Sequence, residues 1–345
     1  MRAAVLTRFG GPDAVELRDL PTPHSGPSQV RLRVSAAAVN NTDLWTREGA
    51  YGLPGDPQAL AGWLGPVDFP RIQGADVVGV VDVVGDGGDP ALLGRRVLVD
   101  PATFDDRDDA APEPRLVGVL GSEYDGGFAE HVVVGADHVH DMTASPLADT
   151  ELACLPIAYG TATGMLERGG VRAGETVLIT GASGGVGLAA VQLAAARGAR
   201  VLAVTSPGKT DLVRASGASA TVERGVDDLA AVARERVDAV VNVVGGPLLE
   251  QLLPSLRPGG RWIVAGAVAG PVVTLDLRRL YLHNLRVIGS TMHTPAHFAV
   301  LADLARSGAL APRVAARFAL EDLAAAHAAL AERRHVGKIV VVPGG

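Results

Sequence analysis

One segment constrains this chain more than any other: Thr180–Gly187, TGASGGVG. It follows a β-type run, ETVLIT, and opens a helical run, VGLAAVQLAAARG. Glycines at a strand-to-helix turn let the backbone close tightly and bring N–H groups up to an anion. The following helix turns its positive end toward that anion. Gly181, Gly184 and Gly187 carry the spacing, Gly185 is additional, and Ser183 and Val186 complete the loop. The loop is predicted to hold the pyrophosphate of a dinucleotide. A helix over ELACLPIAYGTATGMLERGG precedes it, with Gly169-Gly170 as its stop. Downstream, strand and helix patterns alternate through RVLAVTS, KTDLVRASG, VDAVVNVV, PLLEQLLPSL and RWIVAGA. Such alternation predicts a parallel sheet covered on both faces.

The strand after the loop ends at Thr205. A chain that binds NAD usually carries an acid there for the ribose 2′-OH. This one reads Thr205-Ser206-Pro207-Gly208-Lys209, with Arg224 after the next strand. Hydroxyls and cations suit a 2′-phosphate, so NADPH is the predicted cofactor. Val244, Gly245, Ala265 and Gly266 end later strands. They are predicted to meet the nicotinamide half, because ligands bind outside the carboxyl ends of parallel strands. The glycine motif also fits short-chain dehydrogenases, which need a Tyr-x-x-x-Lys pair. The residues four after Tyr51, Tyr124, Tyr159 and Tyr281 are Gly55, Phe128, Thr163 and Leu285. None is lysine, and that reading is rejected.

The first 150 residues read differently. MRAAVL, VRLRVSAAAV, DVVGVVDVV and RRVLVD are β-type runs punctuated by glycine, which predicts a partly closed antiparallel barrel. The acidic stretch 103–116 reads as an exposed loop. The chain ends in an amphipathic helix, ALEDLAAAHAALAERR, and a strand, KIVVV. At 345 residues there is room for two domains. Aromatics make up 4%, so an aliphatic core is expected. The net charge is −7 with no basic block, which argues against a nucleic-acid partner. Cys154 is the single cysteine, which excludes an internal disulfide and a four-cysteine zinc site. MRAAVLTRFGG does not read as a signal peptide, and no run of about 18 apolar residues suggests a membrane span. A cytoplasmic protein is expected.

Five segments together resemble the medium-chain dehydrogenase/reductase family, in its quinone oxidoreductase branch. They are VNNTDLWTREGAYG (39–52), PRIQGADVVGVVDVVG (70–85), GGFAEHVVV (126–134), the stretch from AGETVLITGASGGVG to KTDLVRASGA, and the ending GKIVV. Their order is the family's order, and they span nearly the whole chain. The resemblance implies an α/β protein with a GroES-like barrel over 1–150 and 312–345. A Rossmann doubly wound domain over 151–311 would be inserted into it, with cofactor and substrate in a cleft between them. It also implies a homodimer that pairs Rossmann edge strands, with RVIGSTM as the candidate edge.

Zinc-dependent relatives place ligands at positions that here read Asn40, about Ile157, and Ala75-Asp76. These offer neither thiolate nor imidazole, and no bound zinc is expected. His293 and His297 are four apart, but Thr294-Pro295 reads as a helix N-cap and first residue, which breaks a shared face. Without a Lewis acid, hydride delivery to an already conjugated acceptor remains feasible. The resemblance puts Asn40–Tyr51 along the substrate. Asn40 is then a hydrogen-bond donor, Thr42 a relay hydroxyl and Tyr51 a proton donor, with Trp45 as an aromatic wall. Asp43 and Arg47 read as a loop-fixing pair. Trp63, in the long loop 51–69, is a further pocket residue. The expected substrate is a small molecule, a quinone or an activated C=C. A polyketide-like or enoyl-thioester substrate of secondary metabolism is the alternative, and a non-catalytic NADPH-binding role the third.

Overall fold

The computed structural model describes residues 1–52, 61–105, 113–225 and 236–344. Residues 53–60 of the expected pocket loop and 106–112 of the acidic stretch lie outside the described residues. Two compact units are formed: Met1–Ile157 with Phe298–Gly345, and Ala158–His297.

The first unit is built on a seven-stranded sheet. In spatial order its strands are Val139–Asp141, Arg96–Val99, Asp76–Val84, Gln29–Ala38, Lys338–Val342 and Val314–Ala319. His131–Gly135 also pairs with Gln29–Ala38. Most pairs are antiparallel, as the alternating β-branched runs require, and the C-terminal strand is held against the start of the chain. Gly79 interrupts the run DVVGVVDVV for a local reason. The register shifts between Val34 and Ala36 opposite it, and a Cβ on Gly79 would strike the carbonyl of Arg33. Such an irregularity bends a strand and lets a sheet curl. Inside lies an aliphatic core of Val5, Leu32, Val34, Val77, Val97, Ile339 and Val341, with Phe128 its one fully buried large aromatic. This is the GroES-like domain.

The second unit is a six-stranded parallel sheet of Rossmann type. Its order is Ala220–Glu223, Arg200–Thr205, Thr176–Ile179, Val237–Asn242, Leu256–Val264 and Arg286–Gly289. Leu178, Leu202, Val240, Leu252 and Trp262 lie in its core. Arg286–Gly289, within the predicted RVIGSTM strand, is one edge. Two predicted helices are broken by proline. The run 151–168 becomes Asp149–Leu152 and Pro156–Arg168, and PLLEQLLPSL becomes Leu248–Leu252 followed by a 3-10 turn at Leu253–Ser255. Proline lacks an N–H and disfavours the helical conformation one residue earlier.

Candidate functional site

The glycine loop leaves the strand Thr176–Ile179 and enters the helix Gly185–Ala196. Gly181 adopts a left-handed φ of 61°, and Gly184 N donates back to Gly181 O at 3.0 Å. A Cβ on Gly187 would enter the carbonyl of Gly181, so loop and helix can approach only through glycine. The helix's first turn has no side-chain cap and no acidic residue. Its first N–H groups have no acceptor within the helix, which is the electrostatic setting of an anion site. A nucleotide pyrophosphate fits here.

Sequence reading missed the brace beneath this loop. Thr180 Oγ1 donates to buried Asn242 Oδ1 at 2.7 Å, and the same oxygen accepts from Val244 N at 3.0 Å and Gly245 N at 3.2 Å. One amide thus sets the turn after Val237–Asn242 against the glycine loop. Ala265 N donates to Asn242 O at 3.1 Å, and a Cβ on Gly266 would meet the carbonyl of Val243. The four strand-end residues Val244, Gly245, Ala265 and Gly266 are therefore neighbours. Only the pattern of a polar residue ending an apolar strand could have pointed to Asn242.

At the next strand end, Thr205 pairs with Glu223, and Arg224 N donates to Thr205 O at 2.9 Å. Burial and the neighbouring charge of Arg224 lower the pKa of Lys209, so the two cations share one corner with Thr205 and Ser206. Thr205 Oγ1 is buried without a hydrogen-bond partner. An acid is also present, from the neighbouring strand: Gly208 N donates to Glu223 Oε1 at 3.3 Å.

In the barrel, sheet register assembles a second cluster. Ala38 pairs with both Asp76 and Val340, so the strands on either side carry Asp76 and Lys338 to Asn40. Lys338 Nζ lies 2.9 Å from Asp76 Oδ2 and donates to Asn40 Oδ1 at 2.5 Å and Val39 O at 2.9 Å. Asn40 Nδ2 donates to Asp76 Oδ2 at 2.9 Å and to Ala38 O at 3.3 Å. Ile157 N donates to Asp76 Oδ1 at 2.6 Å. Asn40 thus has both amide hydrogens engaged inside the protein. The donation to substrate or ribose expected of it requires exchanging one of these bonds.

Asn40 precedes the helix Asn41–Glu48, and Asp43 Oδ2 accepts from Asn40 N at 2.7 Å. Burial pushes the Asp43 carboxyl up to about 7, while the Asn40 N–H and the Lys338 charge pull it down. The expected Asp43–Arg47 pair is not formed, because Asp43 turns back to accept from Asn40 N while Arg47 is engaged elsewhere. Arg47 donates instead to His327 Nδ1 at 3.1 Å and to Glu48 at 3.1 Å. Thr42 stands half-buried in the helix's first turn. After the helix, Ala61 N returns to Gly49 O at 3.3 Å, which brings Tyr51 between Trp45 and Trp63. The ring centroids are 5.7 and 6.2 Å apart, edge-on to Trp45 and stacked on Trp63. Burial, with the charges of Asp43 and Glu123, raises the Tyr51 phenol, which stays protonated.

His327 yields a pH prediction. Burial, then the charge of Arg47, lowers its pKa to about 3. The unfolded chain protonates first, near the ordinary 6.5. Stability is therefore lost as pH falls from about 6.5 toward 3, at up to about 1.4 kcal/mol per pH unit. His327→Gln keeps an acceptor for Arg47 without the titration. Urea midpoints measured from pH 7 to pH 4 are expected to fall less steeply in that variant.

Zinc does not fit the residues present. The positions where zinc-using chains carry ligands read Asn40, Ile157 and Ala75, an amide and two aliphatic side chains, and the adjacent carboxylate of Asp76 is held by Asn40 Nδ2, Ile157 N and the ammonium of Lys338. That ammonium already occupies the carboxylate and would repel a divalent cation. His297 is used as a helix cap, its N bonded to Thr294 Oγ1 and its Nδ1 to Thr294 N, as the Thr294-Pro295 reading anticipated. Among the described residues no three His, Cys, Asp or Glu side chains gather as a metal site. No described helix is long and apolar enough to cross a membrane.

Residues 26–144 match the alcohol dehydrogenase GroES-like domain, and residues 185–307 the model described as zinc-binding dehydrogenase. The quinone oxidoreductase of Pseudomonas aeruginosa is 31% identical, with 97% of each chain covered. The acryloyl-coenzyme A reductase of Sulfurisphaera tokodaii is 29% identical, over 99% of this chain and all of that one. A Sinorhizobium meliloti 1021 structure put forward as an alcohol dehydrogenase superposes with a TM-score of 0.93 at 43% identity, covering 99% of this chain and 96% of that one. Two domain models in the right order, whole-length relatives and a matching fold converge. The chain belongs to the medium-chain dehydrogenase/reductase superfamily and is quinone oxidoreductase-like.

Proposed function

We propose that this oxidoreductase is a zinc-independent, NADPH-dependent reductase of quinones or activated C=C bonds. The observation that carries the reading is the Lys338 ammonium bound to Asn40 and Asp76, at the segments where zinc-using relatives carry ligands. A site without a Lewis acid needs a substrate whose own conjugation stabilises developing negative charge. The relatives named quinone oxidoreductase and acryloyl-coenzyme A reductase support that substrate class. The latter also favours a second reading, an enoyl thioester in place of a free enone.

In this reading the glycine loop binds the pyrophosphate through Gly181, Ser183, Gly184, Gly185, Val186 and Gly187. Lys209, Arg224, Thr205 and Ser206 hold the 2′-phosphate. Val244, Gly245, Ala265 and Gly266 flank the nicotinamide. NADPH supplies the hydride when bound. Trp45 and Trp63 hold the acceptor's apolar face, and Tyr51, protonated, donates a hydrogen bond that polarises the developing oxyanion, with Thr42 as a relay. The protein works as a cytoplasmic homodimer through the sheet edge Arg286–Gly289. There Val287 is exposed beside a helix bearing exposed Leu277, Tyr281 and Leu282.

The test is a titration with NADPH and NADH by cofactor fluorescence, followed by a panel of quinones and enones with and without chelator. NADPH is expected to bind at least tenfold tighter than NADH, and Lys209→Ala to remove most of that preference. Equal affinity for both nucleotides would sink the cofactor assignment. Binding without turnover on any acceptor would sink the catalytic one.

A further inference from the structure

We propose that Lys338 is a positioning residue that serves in place of a metal ion. Its ammonium is the fixed cation around which the first turn of the substrate-side helix is organised. The inference rests on the reductase reading above and deepens it.

The geometry is specific. An ammonium has three hydrogens, and Lys338 meets three acceptors: the Val39 carbonyl, the Asn40 amide oxygen and the Asp76 carboxylate. With 6% of the Lys338 side chain and none of the Asp76 side chain exposed, water cannot replace these partners. Every proton is spoken for, so Lys338 is not the proton donor of the reaction. Its effect passes through Asn40. The Asn40 side chain is held on its oxygen by Lys338 and on its nitrogen by Asp76 and Ala38. Its backbone N–H is held by Asp43. Asn40 is the N-cap of Asn41–Glu48, and a capping residue whose side chain and backbone are both fixed sets where the helix begins. The same helix carries Thr42 and Trp45, and Trp45 contacts Tyr51. The cation thus holds proposed pocket residues in place from behind and touches none of them.

A plain structural ion pair makes a different prediction. Asp76→Asn with Lys338→Met removes both charges and leaves an acceptor for Ile157 N. The fold should survive the exchange, because removing a buried pair together is far milder than removing one partner. If the Lys338–Asp76 pair is only a structural charge pair, this double variant should work like the parent. If it positions Asn40, three results are expected. Amide hydrogen exchange in the segment 39–48, followed by mass spectrometry, quickens at least tenfold. The kcat for the best acceptor falls at least thirtyfold. The NADPH Kd stays within twofold. Asn40→Ala keeps the ion pair but cuts its link to the helix, and should reproduce both losses even if the double variant folds poorly. Parental exchange and kcat in these variants would overturn the proposal. A wild-type protein that turns over no quinone or enone would overturn the reductase reading instead, and the exchange rates would then decide the role of Lys338.

Discussion

Lys338→Met alone is expected to cost about 3–5 kcal/mol of folding stability, the usual consequence of leaving one buried charge unpaired. The carboxylate of Asp76 would remain fully buried, with only Asn40 Nδ2 and Ile157 N to satisfy it. Adding Asp76→Asn should recover most of the stability at neutral pH. Urea midpoints of the parent, the single variant and the double variant check this. Equal midpoints for parent and Lys338→Met would show that the cluster is hydrated in solution.

Gly187→Val is expected to weaken nucleotide binding at least a hundredfold, about 2.8 kcal/mol. A side chain at 187 has no space, because its first carbon would press on the Gly181 carbonyl and on Ala182 Cα, both backbone. The loop must then move away from the helix N-terminus and lose its N–H geometry. Thr180, bonded to Asn242, would carry that shift into Val244 and Gly245. Fluorescence titration with NADPH reads the loss, and thermal unfolding of the same variant shows whether the fold is intact. Retained affinity would mean that the pyrophosphate binds elsewhere.

These two variants probe parts of the molecule that differ in how locally the sequence encodes them. Gly187 is legible in the sequence, since glycine spacing between a strand and a helix is a local pattern. The same is true of the alternating second unit, the β-branched barrel strands and the Thr294-Pro295 helix start. Each follows from side-chain periodicity or turn chemistry within a few residues. Even the failures at this level are local, as Pro156 and Pro254 break helices that their neighbours favour.

What only the tertiary structure decided is which polar groups meet. Asn40 and Lys338 are 298 residues apart, Arg47 and His327 are 280 apart, and Thr180 and Asn242 are 62 apart. No periodicity encodes such pairs. They follow from strand register, here Ala38 opposite both Asp76 and Val340. Reading Asn40, Ile157 and Ala75 as poor zinc ligands needed only the residue types. That a lysine from the last strand lies among them needed the sheet. Burial also overruled the local expectation for Asp43 and Arg47, because each buried charge takes the partner its surroundings offer, whatever lies four residues along the helix. The sequence by itself determined most of the elements and the glycine loop. The tertiary structure decided the charge at the heart of the barrel site, because a buried ion survives only where distant segments bring it complementary groups.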